Sequence, residues 1–245
     1  MPVLVFLHGL LGTKADWQKV IEKLPHFDCL ALDLPLHGEA EQQSVEDFEQ
    51  CAHYVAQCIR AQIGERDYIL TGYSLGGRIA LYYALESRVE KGNLRAVIAE
   101  GAGLGLQTAD EKHARWQNDC HWVQRFRQEP IEKVLQDWYR QAVFADLSDE
   151  QRAELIAQRC HNDGQAVAQM LQATSLAKQA DFRLKVRSNL LPIFYVCGER
   201  DQKFRRLAQE NALNARYIAD AGHNAHKENP QGFADCVQEI LKSFD

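Results

Sequence analysis

The chain alternates between short apolar runs and longer stretches with helical spacing, and this alternation restricts its fold more than any other feature. The apolar runs are rich in β-branched and aromatic residues, as is typical of parallel strands covered by helices on both faces. We therefore predict an α/β fold: a mainly parallel sheet of about six strands with helices on both faces. The strands are predicted at 3–9, 27–33, 67–72, 95–101, 192–198 and 215–220, and the helices at 15–24, 45–63, 76–89, 203–213 and 230–243.

One long segment interrupts the alternation. Between residues 103 and 187 no strand pattern occurs, and polar residues follow helical spacing. Residues 103–188 contain as many Lys and Arg as Asp and Glu, so the rest of the chain carries the net charge of −6. We predict a helical cap at 103–187, inserted between two parts of a core at 1–102 and 188–245. A simple helical elaboration of the core is the alternative.

Composition limits the partners and the compartment. The charge of −6 argues against nucleic acid as a partner, because phosphate binding requires a basic face. The seven cysteines form no Cys-x-x-Cys pair, which favours reduced thiols in the cytoplasm and predicts no metal site. The run VLVFL at 3–7 is too short for a signal peptide or a membrane span. We expect a cytoplasmic monomer that acts on a small molecule without a cofactor and without a membrane.

A serine between two glycines stands where a predicted strand meets a predicted helix. The motif Gly72-Tyr73-Ser74-Leu75-Gly76 follows the strand at 67–72 and begins the helix at 76–89. This is the context of a nucleophile elbow, whose sharp turn exposes the serine at the carboxyl edge of the sheet. The sequence predicts that Ser74 is catalytic.

A serine hydroxyl becomes reactive when a histidine takes its proton and a carboxylate orients that histidine. Asp201 follows the strand at 192–198, and His223 follows the strand at 215–220, so both loops lie at the same sheet edge as Ser74. We predict that these three residues form a catalytic triad. Alternatives for the acid and the base are Glu199, Asp220 and His226.

Two backbone N–H groups are expected to stabilise a developing oxyanion. One belongs to Leu75, directly after the serine, and the other to Leu10 in the loop after the first strand. Gly9 would permit an unusual backbone conformation in that loop. His8 is expected to fix the loop through hydrogen bonds.

Five motifs together resemble the α/β-hydrolase superfamily over nearly the whole chain: FLHG, DLPLHG, GYSLGG, CGERD and AGHNAHKENP. The resemblance implies an α/β-hydrolase fold with a cap above the site. The first predicted strand begins at residue 3, whereas further strands usually precede it in this superfamily. A smaller sheet with an exposed edge is therefore expected.

An arginine stands one helical turn after the serine. Arg78 is four residues after Ser74, hence on the same face of the predicted helix. A guanidinium in this place suits a carboxylate of a substrate, which it can bind through two hydrogen bonds. A structural ion pair with a nearby acidic residue is the alternative.

Longer segments resemble one family in particular, the 2-succinyl-6-hydroxy-2,4-cyclohexadiene-1-carboxylate synthases of menaquinone biosynthesis, which are lyases. These segments are EGAGLGLQTADEKHARWQ, DWYRQAVFADLSDEQRAEL, MLQATSLAKQ and CGERDQKF. The resemblance implies anion-binding roles for Arg78, Arg115 and Arg159. It also implies that Trp138 and Tyr73 line the substrate pocket.

The reaction implied by the resemblance removes a ring proton from a cyclohexene with three carboxylates and expels pyruvate. Ser74 would then act as a base, and either Ser74 or His223 could accept the proton directly. A carboxylesterase or thioesterase for a small acidic acyl substrate is an alternative, because it would use the same triad. A catalytically inactive receptor or scaffold is a further alternative.

Overall fold

Six parallel strands form a single sheet in the computed structural model, which describes residues 1–244. The strands are β1 (Val3–Leu7), β2 (Cys29–Leu32), β3 (Tyr68–Tyr73), β4 (Leu94–Glu100), β5 (Ile193–Gly198) and β6 (Ala215–Ile218). Their order across the sheet is β2-β1-β3-β4-β5-β6, and each neighbouring pair is parallel. The predicted α/β fold with six parallel strands is confirmed.

Helices flank the sheet on both faces. Eleven α-helices occur within residues 1–244: α1 (Gln18–Ile21), α2 (Phe48–Ile63), α3 (Leu75–Leu85), α4 (Ala109–Gln128), α5 (Ile131–Trp138), α6 (Asp149–Arg159), α7 (Gly164–Ala173), α8 (Arg183–Ser188), α9 (Gln202–Glu210), α10 (Ala225–Glu228) and α11 (Pro230–Leu241). Side chains of β1 show how the two cores arise. Val3, Val5 and Leu7 join the core that includes α2 and α3, whereas Leu4 and Phe6 join the core that includes α11.

Four helix predictions need correction. Helix α2 begins at Phe48 instead of residue 45, and α3 ends at Leu85 instead of residue 89. The helix predicted at 15–24 is a 3₁₀ turn at Lys14–Trp17 followed by the single turn of α1. The Asp16 carboxylate accepts a hydrogen bond from the Thr13 N–H, and this local capping favours a tight first turn. Helix α9 ends at Glu210 instead of residue 213, because Ala212 adopts a left-handed backbone with φ 47° that cannot continue a helix.

The two edges of the sheet differ from its centre. Strands β1, β3 and β5 are buried along their whole length, whereas β2 and β6 each have only one buried residue. Strand β2 therefore forms an edge that is partly accessible to solvent. No helix within residues 1–244 is long and apolar enough to cross a membrane.

The segment between β4 and β5 contains α4 to α8 and has its own apolar cluster. Trp122, Phe126, Val134 and Leu171 pack together there, and Leu11 from the loop after β1 belongs to the same cluster. The helical segment thus packs against the loop that follows the first strand. The exact limits of a cap at 103 and 187 stay a prediction.

Candidate active site

Ser74 lies in a sharp turn between β3 and α3. Its backbone has φ 49° and ψ −105°, a strained conformation that few residues other than glycine adopt. The Ser74 N–H donates to the carbonyl of Glu100 at 2.8 Å, which joins the turn to the end of β4. This turn projects the serine from the carboxyl edge of the sheet.

The glycines of the motif are required by close packing around this turn. A Cβ atom at Gly72 would lie 2.4 Å from the carbonyl of Gly76. A Cβ atom at Gly76 would lie 2.4 Å from the carbonyl oxygen of Leu7 in β1. Both distances are far below van der Waals contact, so any side chain would push α3 away from the sheet.

Asp201 and His223 form a buried pair. Asp201 caps the N-terminus of α9, where its Oδ1 accepts the Phe204 N–H at 3.1 Å. Its Oδ2 lies 2.8 Å from Nδ1 of His223. Because an ionised carboxylate can only accept, Nδ1 carries the proton and Nε2 is left as the basic nitrogen. The Phe204 ring stacks on the His223 ring with centroids 5.0 Å apart, which fixes the imidazole plane.

The structure does not bring the alternative residues into such a pair. Glu199 and Asp220 are exposed. His226 is buried and turned to Glu100, with its Nδ1 2.8 Å from a carboxylate oxygen. Of the candidates, only Asp201 and His223 contact each other at the loop edge that Ser74 shares.

His223 packs beside the serine turn. Its ring centroid is 5.3 Å from that of Tyr73, and its Cε1 would lie 2.9 Å from a Cβ atom at Gly101. Within residues 1–244 the Ser74 hydroxyl makes no hydrogen bond to the imidazole. Such bonds are often long in ligand-free enzymes and shorten when substrate binds.

Two backbone N–H groups, one directly after Ser74 and one in the loop after β1, lack an acceptor in the described part of the chain. Leu75 is the first residue of α3, so its N–H has no partner within the helix. The Leu10 N–H has no acceptor either. The loop is held at the next residue, where Leu11 donates its N–H to His37 Nε2 at 3.1 Å. Asn162 of the helical segment donates to the Leu11 carbonyl at 3.1 Å.

Two buried histidines hold the loops after β1 and β2. His8 donates from Nδ1 to the Gly9 carbonyl at 2.7 Å, and its Nε2 accepts the Leu34 N–H at 2.9 Å. Burial lowers the pKa of His8 to about 4 and the pKa of His37 to about 3. Both rings are therefore neutral at pH 7 and serve as fixed hydrogen-bond bridges.

Arg78 is placed near the serine without a carboxylate partner in the described residues. Its Nη1 donates to the Thr174 carbonyl at 2.7 Å, and its guanidinium lies 5.6 Å from the Phe48 ring centroid. Desolvation, together with the charge of Arg115, lowers the pKa of Arg78 to about 9. A partly buried cation without a carboxylate partner favours binding of an anion.

Arg115 and Arg159 each have an acidic partner. Arg115 Nε donates to Asp119 at 2.8 Å, and the same carboxylate accepts the Ser175 hydroxyl at 2.6 Å. Arg159 Nη2 donates to both carboxylate oxygens of Asp16, at 2.7 and 2.6 Å. Arg159 thus connects α6 with the turn after β1.

The chain is similar to known proteins over almost its whole length. A family model described as alpha/beta hydrolase fold matches residues 2–230. A Haemophilus influenzae relative is 55% identical over 98% of both chains and carries, provisionally, the name 2-succinyl-6-hydroxy-2,4-cyclohexadiene-1-carboxylate synthase. A Yersinia enterocolitica protein with the same name is 45% identical over 98% of this chain and 86% of its own. The chain belongs to this synthase family. The solved structure of MenH from S. aureus has the same fold, with a TM-score of 0.88, 24% identity, and coverage of 99% of this chain and 94% of that one.

The two aromatic residues expected in the pocket of this synthase differ in their surroundings. Tyr73 is buried between two imidazoles, with ring centroids 5.3 Å from His223 and 4.7 Å from His226. Trp138 is partly exposed and packs in the helical segment against Trp122 at 5.0 Å. Tyr73 therefore packs against the His223 ring, and Trp138 lies at the surface of the apolar cluster.

The sequence reasoning missed a buried, hydrogen-bonded pair of side chains in this synthase. Glu100 and His226 are at most 1% exposed, and Glu100 also accepts the His226 N–H at 3.0 Å. Because the Glu100 carbonyl holds the Ser74 N–H, this pair fixes the serine turn and the His223 loop together. A signal was present: a glutamate ends the otherwise apolar strand AVIAE. Among residues 1–244 no cluster of His, Cys, Asp and Glu is arranged to hold a metal ion.

Proposed function

We propose that this chain converts 2-succinyl-5-enolpyruvyl-6-hydroxy-3-cyclohexene-1-carboxylate to 2-succinyl-6-hydroxy-2,4-cyclohexadiene-1-carboxylate and pyruvate, a step of menaquinone biosynthesis. The names of the relatives support this reaction. One observation carries the proposal: the 2.8 Å pair of Asp201 and His223 lies beside a strained Ser74, and an unpaired Arg78 lies on the next helical turn.

The chemistry is a 1,4-elimination across the C3–C4 double bond of the cyclohexene ring. The proton at C2 is acidic, because it is adjacent to the succinyl ketone and to the C3–C4 double bond. When it leaves, its electron pair moves first toward the ketone oxygen. A double bond then forms between C2 and C3, the original one shifts to C4–C5, and the C5–O bond breaks. The released enolpyruvate takes up a proton and becomes pyruvate.

The proposed triad supplies the base. His223 Nε2 takes the proton of the Ser74 hydroxyl, and the serine oxygen takes the C2 proton. Asp201 stabilises the resulting imidazolium through the Nδ1–H. The N–H groups of Leu10 and Leu75 stabilise the negative charge on the ketone oxygen, a contribution of about 3–4 kcal/mol for a donor of this kind.

The cations hold the substrate during this transfer. A substrate with three carboxylates needs several positive groups, and Arg78, Arg115 and Arg159 are proposed as anion contacts. Arg78 is the one without an acidic partner in the described residues. Arg159 would have to share its guanidinium between Asp16 and the substrate. Trp138 and Tyr73 are proposed as the aromatic lining of the pocket.

We further propose that residues 103–187 form the cap of this enzyme, which works as a cytoplasmic monomer on this small molecule. The seven cysteines, all free among the described residues, support a reducing compartment.

The test is direct. The protein is incubated with the enolpyruvyl precursor while diene absorbance and pyruvate release are followed together. Equal amounts of diene and pyruvate are expected. Release of neither, by protein that is folded by circular dichroism, would refute the proposal. An acyl group found on Ser74 by intact-mass spectrometry during turnover would instead favour ester or thioester hydrolysis.

A further inference from the structure

Lys203 brings a positive charge to the candidate active site from the side of the acidic residue. It lies two residues after Asp201, in the first turn of α9. Its Nζ is 5.0 Å from the centroid of the Phe204 ring. The same ring stacks on His223 with 15° between the planes. One aromatic ring therefore contacts both the lysine and the proposed base.

The charges around Lys203 come from separate parts of the chain. Neighbouring groups partly desolvate Lys203 and lower its pKa, the charges of Arg115 and Arg78 act in the same direction, and Asp201 acts in the opposite direction. Arg115 comes from α4, Arg78 from α3 and Lys203 from α9. The tertiary structure thus brings three cations from separate segments within electrostatic range of one another.

The nearby carboxylates already accept hydrogen bonds from other groups. Asp119 accepts hydrogen bonds from Arg115 and Ser175, and Asp201 accepts from His223 and the Phe204 N–H. In the part of the chain that the structure describes, the Lys203 ammonium has no ion pair and no hydrogen bond. Asp119 balances the charge of Arg115, but Arg78 and Lys203 have no carboxylate partner among the described residues, so an incoming anion can lower the free energy of these two cations.

We infer that Lys203 binds a carboxylate of the substrate, as a third cation beside Arg78 and Arg115. The inference rests on the proposed function and extends it to a residue for which no role had been expected. The lysine side chain is exposed to solvent, so an incoming carboxylate can reach its ammonium group. A flexible point charge of this kind contributes to substrate binding and not to proton transfer.

The experiment compares Lys203→Met with Lys203→Arg and with a matched control on the same helix. Arg206 is 80% exposed in its side chain and pairs with Glu210 in solvent, so Arg206→Met is the control. We expect Lys203→Met to raise KM about tenfold, as for a lost charge-assisted hydrogen bond, with kcat within about twofold of wild type. Lys203→Arg should restore most of the affinity, and Arg206→Met should leave KM unchanged.

Substrate binding is also measured by calorimetry with Ser74→Ala and with the Ser74→Ala, Lys203→Met double variant. The double variant should bind about tenfold more weakly. Equal affinities, or a loss in Lys203→Met that appears in kcat alone, would overturn the inference. Absence of pyruvate release by the wild-type protein would instead refute the proposed function, and the calorimetric comparison would still test Lys203.

Discussion

At the scale of single residues, the site depends on backbone positions that tolerate few side chains. Ser74 adopts its strained conformation because Gly72 and Gly76 allow α3 to approach β1 and β3 within a distance that a Cβ atom would prevent. The N–H of Ser74 is held by the Glu100 carbonyl. The backbone therefore fixes the position from which the Ser74 hydroxyl projects, and the reactivity of the hydroxyl depends on the groups that surround it.

Replacement of Ser74 by alanine should abolish the proposed proton transfer and leave binding intact. We expect kcat to fall by roughly 10³-fold or more, as for removal of a triad serine, with substrate affinity within about threefold of wild type. Single-turnover pyruvate release and calorimetry measure the two quantities. Ser188→Ala, at the end of α8, is the control. An unchanged kcat would remove Ser74 from the mechanism.

Replacement of Arg78 by methionine should weaken the binding of a carboxylate. The substitution keeps much of the side-chain volume over Phe48 and removes the charge. We expect KM for the tricarboxylate to rise by roughly 10–100-fold, since charge-assisted contacts are lost. Turnover of a neutral ester, if detectable, should change little. Arg66→Met, which removes a surface pair with Asp28, is the control. Equal losses for both substrates would show that Arg78 is structural.

At the scale of elements, loops at the carboxyl ends of the strands carry the reactive groups, and buried polar contacts hold these loops. Asp201 begins α9 after β5, and His223 follows β6. The loops after β1 and β2 are joined by the imidazoles of His8 and His37, which accept backbone N–H groups across them. A neutral ring is required for each of these contacts, which makes the loops sensitive to acid.

The stability of the protein should fall when the pH is lowered below 6.5. The pKa of His8 is about 4 and that of His37 about 3 in the fold, against 6.5 for an ordinary histidine. As the pH falls, these two histidines therefore bind protons in the unfolded chain before they do so in the fold. The stabilisation present above pH 6.5 is lost progressively as the pH falls to about 4 for His8 and about 3 for His37. His8 alone contributes about 3 kcal/mol to this change.

Denaturant unfolding at pH 7, 5.5 and 4 measures this loss. His37→Gln keeps a donor and an acceptor and should show a smaller pH dependence. His53→Gln, an exposed residue of α2, should behave as wild type. A free energy of unfolding that stays constant between pH 7 and 4 would contradict the neutral state of the two buried rings.

At the scale of the whole molecule, one carboxylate joins three segments. Asp16, in the turn after β1, binds Arg159 of α6 and also Lys227 of α10, whose Nζ is 3.2 Å away. Burial opposes the ionised form, but the charges of Arg159 and Lys227 outweigh it and lower the pKa of Asp16 to about 2. This cluster connects the helical segment with the sheet and with the His223 loop.

Removal of Arg159 should destabilise the fold as well as weaken substrate binding. Its side chain is 8% exposed, and Arg159→Met would leave Asp16 buried with Lys227 as its remaining partner. We expect the free energy of unfolding to fall by about 3 kcal/mol. Urea unfolding measures this loss. Arg60→Met, which removes a pair with the exposed Glu90, should cost less than about 1 kcal/mol. Equal losses would mean that the Asp16 cluster does not hold the segments together.

The fold and the chain order of Ser74, Asp201 and His223 could be predicted from the sequence, because both follow from local rules. Apolar runs of strand length and helical spacing report which faces are buried, and a Gly-x-Ser-x-Gly between them reports a sharp turn. The helix predicted at 15–24 was wrong, because the Asp16 side chain competes locally for the backbone. The spacing of apolar residues along the chain does not reveal a local hydrogen bond between a side chain and the backbone.

The sequence by itself determined the six strands and the serine turn, since periodicity and steric limits act between neighbours in the chain. Only the tertiary structure decided which charges meet. It paired Arg159 with Asp16, left Arg78 without a carboxylate among the described residues, and brought Lys203 within electrostatic range of Arg78 and Arg115. These contacts join residues far apart in sequence, and their distances depend on the order of strands in the sheet and on how the helices pack above its edge.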